Sequence, residues 1–164
     1  MKKLWIAVLL TLSLGTVCLA AEKVEAPDAC KQCGMDRTKF GHSRMVVTYS
    51  DGSSTGTCSI NCVVNDMKES KGKEVRSFQV ADYNTRKLTD AKTAAWVIGG
   101  NKKGVMTPVA KWAFADKKDA EAFIKLNGGK SATFDDALVA AEKESSSGSR
   151  EKGHDHAGHG DHKM

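Results

Sequence analysis

The sequence predicts an α+β fold in which two strand-strand-helix-strand units pack as one small domain over residues 30–144. Three observations lead there. Apolar residues alternate with strand period and then recur with helix period in the same order twice. Glycine-bearing turns, Asp51-Gly52, Gly72, Gly99-Gly100 and Gly128-Gly129, punctuate both halves. With 164 residues in all, neither half is long enough to bury a core of its own. Hydrophobic residues make up 40% of the chain, and exchanging Tyr for Gly in that count gives about 48%, the composition of a folded soluble protein.

In the first unit, Ser43 to Ser50 is rich in β-branched residues and reads as a strand. Asp51-Gly52 supplies the hairpin turn, and Ser54 to Cys58 returns as the second strand. Ser59 or Asn61 can cap a helix over Cys62 to Ser70 that stops before Gly72, and Val75 to Tyr83 alternates as the third strand. The second unit repeats this order more loosely. Ala94 to Ile98 and Val109 to Ala115 read as strands around a glycine-rich loop, Gly99 to Thr107. Asp116 caps a helix to Leu126 whose apolar face carries Ala120, Phe123 and Ile124, and Gly128-Gly129 ends it. Lys130 to Thr133 is a short strand and Phe134 to Glu144 a last helix.

Both ends differ from this body. Met1 to Lys3 is basic, Leu4 to Ala21 carries no charge, and the small residues from Thr16 to Ala21 suit a signal peptidase, so residues 1–20 read as an export signal. Retention as an anchor, or lipidation at Cys18, would tie the protein to a membrane; Val17 before Cys18 argues against lipidation. Residues 21–29 read as a polar linker. From Ser145 onward serine, glycine, charged residues and four histidines replace the apolar residues, so residues 145–164 are expected to be disordered. The net charge of +5 falls to +3 when Lys2 and Lys3 leave with the signal, too little to argue for a nucleic-acid partner.

The chemistry lies in sulfur and imidazole. Cys30-x2-Cys33 forms a knuckle, and Cys58-x3-Cys62 spans a strand end and the first turn of a helix. Two such pairs brought together by a hairpin are a common way to build a zinc or heavy-metal site, while export favours a disulfide. Met35 follows the knuckle, and Met106 stands in the polar loop of the second unit. Thioether sulfur suits Cu(I), which accepts two or three soft ligands, better than zinc. His154, His156, His159 and His162 recur every two or three residues and can wrap Cu(II), Ni(II) or Zn(II). His42 is a lone histidine near Met35 and Met45, and Asp36 and Asp82 are single carboxylates. No Ser-His-Asp set, phosphate-cradling loop or carboxylate pair is visible, which predicts a protein that is not an enzyme.

Taken together, Cys30-x2-Cys33-Gly34-Met35, the Asp51-Gly52 hairpin, Cys62 at the helix entry, Val80-Ala81-Asp82-Tyr83, Ala91-x2-Ala94-x-Trp96-Val97-Ile98-Gly99-Gly100, Gly104-Val105-Met106, Trp112-Ala113-Phe114 and Gly128-Gly129 resemble NosL-type proteins. The resemblance covers Cys30 to Leu138. It implies exported copper chaperones that serve nitrous oxide reductase maturation, a fold of two ββαβ units similar to the organomercurial lyase MerB, and Cys30, Cys33, Met35 and Met106 as Cu(I) ligands. The pair Cys58 and Cys62 is not general to that family, and the histidine tail departs from its pattern. The expected function is therefore a periplasmic metallochaperone that passes Cu(I) to an apo-enzyme or its assembly proteins. The alternatives are a thiol-disulfide oxidoreductase using Cys30 and Cys33, against which the absence of a thioredoxin-like βαβ pattern counts, and a structural zinc or disulfide module.

Overall fold

The computed structural model describes residues 24–151. The expected signal peptide, residues 21–23 of the linker and the four tail histidines lie outside the described residues. The fold is mixed α and β with two sheets and three helices. β1 (Met45–Tyr49) and β2 (Ser54–Thr57) form a hairpin, α1 (Ile60–Glu69) follows, and β3 (Val75–Ala81) and β4 (Leu88–Asp90) complete a four-stranded antiparallel sheet in the order β2-β1-β3-β4. The second half contains β5 (Ala95–Ile98), β6 (Lys111–Phe114), α2 (Lys117–Asn127) and β7 (Lys130–Ala132), a three-stranded sheet in the order β6-β5-β7, and then α3 (Phe134–Glu151). Each ββαβ unit thus places its first strand between its second and third, and the repeat expected from the sequence is present in three dimensions.

The alternation of β5 and β6 explains why two such small units share their core. Trp96 and Ala113 face one side and join Met45, Val47, Val63, Val80, Phe134 and Ala137 in a core that draws on both units. Val97, Trp112 and Phe114 face the other side and, with Ala120 and Phe123 of α2, form a second core that contains Cys30, Cys58 and Cys62. Buried Asp82 clamps the units together: its carboxylate accepts from the backbone N–H of Thr85 in its own turn and of Ala115 beyond β6. Burial opposes charge on Asp82, but these N–H donations prevail and hold its pKa below the ordinary carboxylate value.

Three features differ from the sequence expectation. Residues 24–29 are not a free linker, because Val24 is buried and Glu25 bonds both Arg44 and the fully buried Arg37. Arg37 also donates to the carbonyls of Glu25, Pro27, Thr57 and Met45, so one guanidinium fastens the N-terminal segment to the β1–β2 hairpin. The strand β4 was not expected; at three residues it is too short to show a period. The last helix runs to Glu151 and does not end at Glu144, so residues 145–151 are helical and not disordered. Ser146 and Ser147 satisfy their hydroxyls on carbonyls one turn back, and Ser145 bonds Asn65 and Lys68 of α1, which absorbs the serine run into the helix.

Candidate metal centre

The knuckle is closed by its own backbone. Gly34 N–H donates to the Cys30 carbonyl at 2.8 Å, Cys30 N–H donates to the Met35 carbonyl at 2.8 Å, and Gly34 takes a φ of 73°, which a side chain would strain. Lys31 N–H donates to the Gly56 carbonyl at 3.1 Å and stitches the knuckle to β2. The hairpin then delivers Cys58 immediately after β2, where Ser43 Oγ holds its carbonyl at 2.8 Å, and Cys62 follows in the first turn of α1. Ser59 occupies the N-cap position as expected, although its hydroxyl makes no capping bond.

All four sulfur atoms lie within 4.8 Å of one another, with Cys33 Sγ 3.5 Å from Cys58 Sγ and Cys58 Sγ 3.7 Å from Cys62 Sγ. All four are free thiols; Cys30, Cys58 and Cys62 are buried, and Cys33 is half-buried at the rim. Cys30 is held far below the ordinary thiol range because Cys58 and Cys62 donate to it, and burial only partly opposes this. Cys58 is pushed up to about 12, chiefly by its bond to Cys30 and then by burial, and Cys62 is raised by its bonds to Cys30 and Cys58 and then by burial. Cys30 is therefore the sulfur of this set that holds thiolate most readily, while Cys58 and Cys62 favour the protonated form until a cation arrives to offset the added charge. The start of α1 supplies a fixed positive dipole end beside Cys58 and Cys62 that favours thiolate.

Four sulfurs at about 2.3 Å from a tetrahedral zinc stand about 3.8 Å apart. The two short contacts are close to that spacing, the remaining pairs lie within 4.8 Å, and the same soft donors also suit Cu(I).

The residues between the two knuckle cysteines hold the site to α1. Lys31 Nζ and Gln32 Nε2 each reach Asp66 Oδ1 at 3.3 Å, and Gln32 also bonds Glu69 at 2.9 Å. Asp66 lies one turn beyond Cys62, is fully buried, and accepts from the Tyr49 hydroxyl on its other oxygen. No sequence signal marked Asp66, whose role depends on a pairing between segments 35 residues apart. The roof was missed as well: Trp112, Val105 and Val97 of the second unit cover sulfurs supplied by the first.

Other expected site residues fall differently. Met35 is partly buried and packs against the sulfur-bearing core. Met106 is 51% exposed, with a φ of 57°, and is not among the residues packed on that core, whereas Val105 before it is. His42 packs its ring on Tyr83 and Trp112 at centroid distances of 5.6 and 5.3 Å, and burial followed by the charge of Arg86 lowers its pKa. Asp36 caps a turn through the N–H groups of Thr38 and Lys39.

The NosL family model matches residues 21–141, most of the chain and all of the site. The chain belongs to the NosL family. Among solved structures, the crystal structure of the copper chaperone NosL from Shewanella denitrificans is similar at 24% identity and a TM-score of 0.54, covering 70% of this chain and 92% of that one. That likeness shows the shared fold. No curated protein matches. In this NosL-family chain the four-cysteine cluster is the group of metal-ligating side chains that the described residues bring together.

Proposed function

We propose that the protein is an exported, periplasmic metallochaperone that holds Cu(I) on cysteine sulfur and passes it by ligand exchange to a copper enzyme, nitrous oxide reductase or one of its assembly proteins. The observation that carries this reading is the buried four-thiol cluster with one member, Cys33, at the rim. Three buried thiols give tight, water-excluded binding, and a half-exposed fourth offers the face on which an acceptor's thiol, thioether or imidazole can displace a ligand. Membership of the family and the likeness to the copper chaperone NosL from Shewanella denitrificans support copper as the cargo. The role needs no catalysis. Met35 and Met106 are proposed as thioether ligands used in exchange, Met106 from the solvent side of its loop. The imidazoles of His154, His156, His159 and His162 are proposed to capture divalent copper, nickel or zinc on a tether that raises the local metal concentration.

Zinc is the competing cargo, favoured by sulfur contacts of 3.5 and 3.7 Å, close to the edge of a tetrahedral zinc site. Anaerobic titration of the apo-protein with Cu(I) against a chromophoric Cu(I) chelator, with zinc present, separates the two. Retention of Cu(I) and its transfer to an apo-acceptor support the chaperone. Retention of zinc with Cu(I) left on the chelator would refute it.

A further inference from the structure

The cluster offers more sulfur than one Cu(I) uses. A monovalent copper ion accepts two or three soft ligands, and here four thiols converge, with Met35 packed against the core that holds them. The four are not equivalent. Cys30, Cys58 and Cys62 are the buried set, and their sulfurs lie within 4.8 Å of one another. Cys33 stands at the rim, and its sulfur reaches Cys58 at 3.5 Å, while Cys58 in turn reaches Cys62 at 3.7 Å. Cys58 is therefore common to a buried triangle and to an outer edge. Charge points the same way: four thiolates with a single Cu(I) would leave three negative charges beside Val97, Val105 and Trp112, and Lys31, the cation within the knuckle, is already paired with Asp66.

We propose that the cluster seats two Cu(I) ions sharing the Cys58 sulfur, an inner ion on Cys30, Cys58 and Cys62 and an outer ion on Cys33 and Cys58 with Met35 beside it. Each ion displaces thiol protons to solvent and no electrons are transferred. The inner ion is covered by the second unit, and the outer ion lies at the surface where an acceptor can reach it. This rests on the Cu(I) reading above. The consequence is a chaperone with one retained and one exchangeable copper.

Anaerobic native mass spectrometry of residues 21–164, which leaves out the fifth thiol at Cys18, tests it, with His154, His156, His159 and His162 replaced by Ala so that the tail adds no copper. Titration with Cu(I) buffered by a chelator should yield a two-copper species with all four thiols protected from iodoacetamide. Cys33→Ser should saturate at one copper, with the inner triad still protected and the circular dichroism spectrum unchanged. Saturation of the parent chain at one copper, or two coppers retained by Cys33→Ser, would overturn the two-ion site while leaving the Cu(I) reading intact. A chain that takes up no Cu(I) would overturn both.

Discussion

Asp66 connects the fold to the metal centre, and its removal has a calculable cost. Its carboxylate is fully buried and accepts from Tyr49, itself 2% exposed, as well as from Lys31 and Gln32 of the knuckle. A buried hydrogen bond to a charged group contributes about 1.5–3 kcal/mol. The Lys31 side chain is 55% exposed, so its ion pair adds at most about 0.5 kcal/mol after solvent screening. Asp66→Ala should therefore destabilise the apo-protein by about 3 kcal/mol, partly because the Tyr49 hydroxyl is left buried without an acceptor. Tyr49→Phe alone should cost about 1.5–3 kcal/mol. In the Asp66→Ala background the same change should be neutral or slightly stabilising, giving a coupling of about 2 kcal/mol. Urea denaturation of the four proteins of this cycle, with thiols kept reduced, measures it. Costs that simply add, or an Asp66→Ala penalty below about 1 kcal/mol, would refute the latch.

Gly56→Ala would place a Cβ 2.6 Å from the Arg37 guanidinium carbon, so it should destabilise by about 1–3 kcal/mol in thermal melts, because the buried side chain of Arg37 has nowhere to go. Lys111→Met strips Glu144 of its ion-pair partner at 2.9 Å in a buried setting and should cost about 3 kcal/mol, whereas Lys111→Met with Glu144→Leu should recover much of that loss in the same melts. The folded pKa of Asp82 lies below its unfolded value, so its stabilisation is complete above about pH 4 and is lost as pH falls through the folded value. Asp82→Asn should be less stable at neutral pH, and its urea midpoint should fall less steeply with acid than that of the parent. Replacing the four tail histidines with Ala should abolish Ni(II) and Cu(II) binding in isothermal titration and leave Cu(I) retention by the cysteines unchanged.

Local chemistry is what the sequence carries clearly. β1, β2, α2 and β7 fall where alternation, the Asp51-Gly52 turn, the Asp116 cap and the Gly128-Gly129 stop place them, and Asp116 does accept from the Lys118 N–H. The order of the elements in each half was enough to expect two like units. The paired cysteines were legible as a site because knuckle and helix-entry spacings are both local, and the hairpin between them leaves little choice of where they meet. Pairings over long separations left no trace. Lys31 with Asp66, Arg37 with Glu25 and Asn61 with Glu144 join residues whose types are ordinary for exposed surface, and only the fold brings them together. The serines after Glu144 misled for a related reason: serine disfavours helix interiors in isolation, but Ser145 has partners on α1 that a single segment cannot reveal. Met106, which the family resemblance implies as a ligand, is 51% exposed, while its neighbour Val105 enters the sulfur-bearing core.

Metal content and free-thiol count of the full-length protein, isolated anaerobically from the exported fraction of copper-replete cells, test most directly whether the four cysteines carry copper. Copper should be present, none of Cys30, Cys33, Cys58 and Cys62 should react before a Cu(I) chelator is added, and all four should react afterwards. One zinc per chain without copper would contradict the copper assignment, and so would a copper-free chain with its cysteines paired as disulfides.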